Sequence, residues 1–184
     1  MNDSDGQRPA VVSSEEIYAG RVIRVSLDVV REAGREGLRE VVWHNGGAGV
    51  VASFADGTVA LVKQYRHPTG RYVLELPAGR MEAGERPEAC AARELEEELG
   101  VVAGRMEPLS EFYTTPGFCS ERLWVFLATG LRETAPRRDE DEVIEVVRLP
   151  FARALAMAAS GEIDDAKTMI GLLLAARRLG VGGE

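Results

Sequence analysis

Cysteine, histidine and positive charge are all scarce in this 184-residue chain, and each scarcity excludes something. Two cysteines, Cys90 and Cys119, do not make a disulfide framework, so a reducing cytoplasm is the expected location. The two histidines, His44 and His67, are too isolated to make a metal site. Lys and Arg number 22 against 30 Asp and Glu, a net charge of −8. That balance argues against a general nucleic-acid binder, which needs cations to displace phosphate counterions. One small anionic substrate stays open, because a bound metal reverses the local sign. No apolar run is long enough to span a bilayer, and the N-terminal stretch has no signal-peptide core, so no membrane partner is expected.

What is present is material for one core, with 45% hydrophobic residues. Residues 1–13 read as a polar, disordered tail. Val- and Ile-rich stretches at 17–30 and 38–44, with a turn at 34–37, read as two strands of a small N-terminal antiparallel sheet. Residues 14–45 form this segment, and residues 46–184 form the main domain. There, apolar runs at 48–55 and 58–66 are joined by Asp56-Gly57, a strong hairpin signal. Strands are expected at 72–76, 111–115, 122–128 and 143–149, and closing helices at 151–159 and 166–179. An acidic loop occupies 137–142. Strands, one central helix, more strands and two helices predict an α/β sandwich with a mixed sheet.

The central helix, residues 87–99, is marked at both ends by Pro87 and Gly100. At about 100° per residue, Ala91, Ala92, Leu95 and Leu99 fall on one arc and should face the core. Glu94, Glu97 and Glu98 cluster on another, where like charges at neighbour spacings cost roughly 0.2–0.5 kcal/mol each. Arg93 answers Glu97 at i, i+4, which leaves Glu94 and Glu98 without a partner on the helix. A hard divalent cation with oxygen ligands, Mg²⁺ or Mn²⁺, resolves the conflict. The loop Leu76-Pro77-Ala78-Gly79, just before, brings backbone carbonyls within reach of the same cation.

Residues 79–101 read GRMEAGERPEACAARELEEELGV. The run resembles the Nudix box, with Gly79, Glu85, Arg93, Glu94, Leu95, Glu97, Glu98, Gly100 and Val101 filling every specified position. Chance agreement is on the order of 10⁻⁸ per starting position. The resemblance implies a Nudix-type α/β/α sandwich and metal-dependent hydrolysis of a diphosphate linked to a nucleoside. Outside the box, Gln64-Tyr65-Arg66, residues 74–79, the run 112–118 with Pro116, residues 139–142, Gly161-Glu162-Ile163 and Ala166-Lys167-Thr168 resemble the ADP-ribose pyrophosphatase branch. Cys119-Ser120-Glu121 departs from that branch, where Ser or Thr, Asp and Glu are expected.

The resemblance implies roles residue by residue. Ala78 (through its carbonyl), Glu94 and Glu98 become metal ligands, with Glu97 shared between metal and Arg93. Glu85 reads as a structural acid near the helix start, where the dipole favours an anion. Glu140 is assigned as the catalytic base and Glu142 as metal-associated. Arg66 holds a phosphate by a bidentate fork. Arg39 and Glu40 contact the adenine from a partner subunit, and Arg21 flanks the base. Cys90 reads as a packing residue. The implied activity is conversion of ADP-ribose to AMP and ribose 5-phosphate by a homodimer with exchanged N-terminal sheets. The alternatives are a hydrolase of another nucleoside-diphosphate sugar, such as GDP-mannose, and a non-catalytic Nudix ligand sensor. A sensor predicts a degraded box and an added helix-turn-helix, whereas this box is intact.

Overall fold

The computed structural model describes residues 8–134 and 143–181. The described residues divide into two units, one falling within residues 1–45 with 113–122, the other within residues 46–112 with 123–184.

In the first unit, β1 (Ala10–Ala19), β2 (Ile23–Glu32) and β3 (Arg35–His44) form an antiparallel sheet in that order. Three strands stand where two were expected. Gly20 N–H donates to Ile23 O at 2.9 Å, closing a turn inside the stretch 17–30 that had read as one strand. Residues 10–13, read as tail, are drawn into β1 because Ala10 and Val11 pair with Arg31 and Val30. The β2–β3 turn falls at Ala33-Gly34 rather than at 34–37, with φ of 49° and 77°. Two successive positive φ values are what a tight hairpin between right-twisted strands requires. Residues 113–122 belong with this sheet through Val42. Its N–H donates to Phe118 O at 2.8 Å, and its carbonyl accepts from Ser120 N–H at 2.9 Å.

The remaining elements are β4 (Gly47–Ser53), β5 (Thr58–Arg66), β6 (Arg71–Glu75), β7 (Ala78–Arg80), α1 (Pro87–Leu99), β8 (Val101–Val102), β9 (Arg105–Tyr113), β10 (Arg122–Thr129), β11 (Arg132–Glu133), β12 (Ile144–Pro150), α2 (Phe151–Ser160) and α3 (Ala166–Leu179). Seven strands make one mixed sheet in the order β12-β5-β4-β10-β9, with β6 paired to β5 and β7 to β4. β10 runs parallel to β4, and β5 and β7 run antiparallel to it.

Strand alternation builds the core on both faces. Ala48, Val50 and Ala52 of β4, with Phe126 and Ala128 of β10, pack with Cys90, Ala91 and Leu95 of α1. Val51, Val125 and Leu127 point the other way, into a cluster with Phe151 and Ala154 of α2 and Leu172 and Ala175 of α3. The α/β/α sandwich with a mixed sheet follows. Two local expectations fail. Ala92 is exposed, because the buried stripe of α1 is rotated toward Glu94 and Glu98. β9 begins at Arg105 rather than near 111, carrying Pro108 inside it. Pro donates nothing to a ladder and is tolerated there because β9 is an edge strand.

Candidate active site

Helix α1 supplies the acidic residues, and its ends are set by local chemistry. Pro87 occupies the first turn, and Gly100 closes the helix at φ 64°, donating its N–H to Glu96 O. Between them, Glu94 and Glu98 are 8% and 4% exposed. Buried carboxylates are uncommon unless they are paired or ligating.

Both lean on the backbone of β7. Ala78 N–H donates to Glu98 Oε2 at 3.1 Å. Glu94 fills the space beside Gly79 so closely that a Cβ on Gly79 would lie 1.7 Å from its Oε1. A side chain at position 79 would therefore displace the Glu94 carboxylate, which is why β7 carries glycine there. The pairing of Gly49 with Ala78 and of Ala48 with Gly79 fixes this segment to the central strand β4.

Arg93 organises the outer acids. Its Nε and Nη2 donate to Glu85 at 3.0 and 3.1 Å, and Nη1 donates to Glu94 at 2.6 Å and Glu97 at 3.0 Å. The expectation that Arg93 serves Glu97 alone, leaving Glu94 and Glu98 without partners, is corrected. Its planar five-donor fork spans three carboxylates, while Glu98 finds Ala78 off the helix. Glu85, doubly held by Arg93, also accepts Glu82 N–H at 2.9 Å. These bonds hold the Glu85 carboxyl below its ordinary range. The Glu85 bond, ahead of the charge of Glu94 and the bonds to Glu94 and Glu97, keeps Arg93 protonated more firmly than a free guanidinium. Cys90 is fully buried, and burial pushes its thiol up to about 12, as befits a packing residue rather than a nucleophile.

On the neighbouring strands, Arg66 grips Glu75 with a fork, Nε to Oε1 at 2.7 Å and Nη2 to Oε2 at 3.0 Å. Burial opposes the charge on Glu75, but Arg66 and Lys167 outweigh it and hold the carboxyl below its usual range. Sequence spacing gave no hint of the Lys167 contact, which joins residues 92 apart. The one local sign was a carboxylate on the same strand parity as buried Val73.

In the N-terminal unit, Arg39 and Glu40 line a cavity of about 460 Å³ with Trp43, Tyr113, Pro116 and Cys119. The structure thus brings Arg39 and Glu40 together. Arg21 is exposed in the β1–β2 turn and is not among that cavity's walls. Glu140 and Glu142 lie outside the described residues.

The donors at α1 and β7 are all oxygen, which suits a hard divalent cation. Among the described residues, no three Asp, Glu, His or Cys side chains form a ready metal cage. Mg²⁺ does not require one, since it commonly takes one or two carboxylates and completes its shell with water and substrate phosphate. Glu94 and Glu98 fit that pattern.

The model of the NUDIX domain matches residues 43–170. The chain belongs to the Nudix family. Its relatives include the ADP-ribose pyrophosphatase of Bacillus subtilis, 42% identical over 85% of this chain and 86% of that protein. The methanol dehydrogenase activator of Bacillus methanolicus is 38% identical over 86% and 88% of the two chains. A crystal structure described as an ADP compounds hydrolase superposes with a TM-score of 0.83 over 95% of each chain, at 23% identity. At that identity the likeness concerns the Nudix fold alone.

Proposed function

We propose that this Nudix chain is a hydrolase that splits the diphosphate of ADP-ribose into AMP and ribose 5-phosphate with a divalent cation. The observation that carries the reading is the buried pair Glu94 and Glu98, seated against the backbone of Ala78 and Gly79. The box around that pair is intact, and the relative named ADP-ribose pyrophosphatase aligns with most of the chain.

Glu94, Glu98 and the Ala78 carbonyl would hold the cation, with Glu97 divided between it and Arg93. Bound there, Mg²⁺ or Mn²⁺ would neutralise diphosphate charge and favour attack by water. Arg66 orients a substrate phosphate through its outward edge. Glu140 accepts the proton of the attacking water, and Glu142 assists at the cation. Water's oxygen ends on one phosphorus as the bond from that phosphorus to the bridging oxygen breaks. Arg39, Glu40 and Arg21 serve the adenosine end.

A panel of ADP-ribose, ADP-glucose, GDP-mannose, NADH and diadenosine polyphosphates with Mg²⁺ tests the substrate. The expected result is the highest kcat/KM on ADP-ribose, with AMP and ribose 5-phosphate formed in equal amounts. Faster turnover of GDP-mannose would move the assignment to another nucleoside-diphosphate sugar. No turnover of any of them would point to a ligand sensor.

The active form is a homodimer. Every residue of β1 is exposed, and Val11, Ile17, Tyr18, Val22 and Leu38 each have about half or more of their surface in water. A three-stranded sheet with so much open apolar surface and an open edge invites a second copy. The exchanged sheets would carry Arg39 and Glu40 to the partner's substrate. Mixing an Arg39→Ala/Glu40→Ala chain with a Glu98→Gln chain should restore activity in heterodimers. A monomeric mass at micromolar concentration, or no complementation after proven exchange, refutes the shared site.

A further inference from the structure

The start of α3 is built with more charge than its helix needs. Asp165 caps the helix, accepting Thr168 N–H at 3.0 Å and the Thr168 hydroxyl at 2.5 Å. That hydroxyl, fully buried, accepts Leu76 N–H at 2.8 Å, two residues before Ala78. From the same turn, the Lys167 ammonium reaches Glu75 and lies 3.0 Å from Asp165. Glu75 is 2% exposed and already carries the Arg66 fork.

Two cations and two carboxylates meet here, and Glu75 is held by both cations. Arg66 and Lys167 are positive, Glu75 and Asp165 negative. Glu75 takes two of the five N–H donors of Arg66. The Arg66 side chain is 40% exposed while that of Glu75 is 3% exposed, so the guanidinium is held from within and open outward. The Glu75 bond holds Arg66 protonated against burial, and the charges of Glu75 and Glu98 act in the same direction. A lone Arg–Glu pair would spend the arginine's charge on its own buried carboxylate. A second cation on Glu75 changes that division.

We propose that Lys167 is a positioning residue: by sharing Glu75, it leaves the charge of Arg66 for the substrate diphosphate while Glu75 fixes the plane of the guanidinium. The inference rests on the reading of Arg66 as the phosphate-holding residue. Lys167 itself touches no substrate, and its effect passes through Glu75 and Arg66.

Lys167→Gln keeps a donor to Glu75 and removes the charge. It should raise KM for ADP-ribose about tenfold with kcat within about threefold, the pattern of lost uniform binding. Lys167→Arg should restore KM. In an Arg66→Ala background, Lys167→Gln should change KM by less than about twofold, since neighbours acting through one group are not additive. A second variant guards against misfolding: Glu75→Gln/Lys167→Met leaves no uncompensated carboxylate at position 75. It should match Glu75→Gln alone in KM, and a further rise would give Lys167 its own substrate contact and overturn the proposal. An unchanged KM in Lys167→Gln, or the same rise without Arg66, also overturns it. Arg66→Ala alone reads the underlying assignment. An unchanged KM there removes Arg66 from the phosphate site, whereas a raised KM there with none in Lys167→Gln removes only Lys167.

Discussion

Glu98→Gln should lower ADP-ribose hydrolysis by at least about 10³-fold, because a lost metal charge costs several kcal/mol in the transition state. The fold should survive. Glutamine is isosteric, and its amide oxygen still accepts the Ala78 N–H that Glu98 receives at 3.1 Å. The substitution also removes one of the like charges crowded on α1, two of them buried, so thermal unfolding should be unchanged or slightly later. Circular dichroism and a melting curve, beside a rate at saturating Mg²⁺, make the comparison. Activity within a few-fold of the wild type would sink the assignment of Glu98 as a ligand. An unfolded variant would recast Glu98 as a packing residue.

Glu140→Gln should cut turnover by roughly 10²–10⁴, the usual contribution of a positioned general base. Metal affinity should stay nearly constant, because this residue is assigned to the water and not to the cation. A base must stand off the rigid α1 surface to approach the attacked phosphorus from outside. The sequence offers Glu140 and Glu142 together before β12. If Glu142→Gln shows the turnover loss and Glu140→Gln does not, the order of the two is reversed. If neither loses more than about threefold, the base lies elsewhere and the acidic loop is a solvated charge run.

The box helix was legible because its information is local. Pro87, Gly100 and the 94-97-98 spacing are contained in fourteen consecutive residues, and the structure builds the helix they define. The sandwich was legible from the order of apolar runs. Contacts that join distant segments were not. Glu75 was read only as part of the strand 72–76, because its partner Lys167 enters from α3. Ala92 was misplaced because the buried stripe was drawn from apolar residues alone, whereas the fold buries Glu94 and Glu98 beside Leu95. β9 was expected only from residue 111, and its start at Arg105, with Pro108 inside it, depends on an edge position that only sheet order reveals. The β1–β2 turn was missed because Gly20 is a weak signal without a second turn residue beside it.

Glu94 and Glu98 together are proposed to hold the cation that the hydrolysis requires. An Mn²⁺ titration followed by electron paramagnetic resonance tests it directly, comparing the wild type with Glu94→Gln/Glu98→Gln at fixed pH and salt. The double variant, still folded, should bind Mn²⁺ at least about tenfold more weakly, a loss of about 1.4 kcal/mol or more. Equal Mn²⁺ affinity in the two proteins would contradict it.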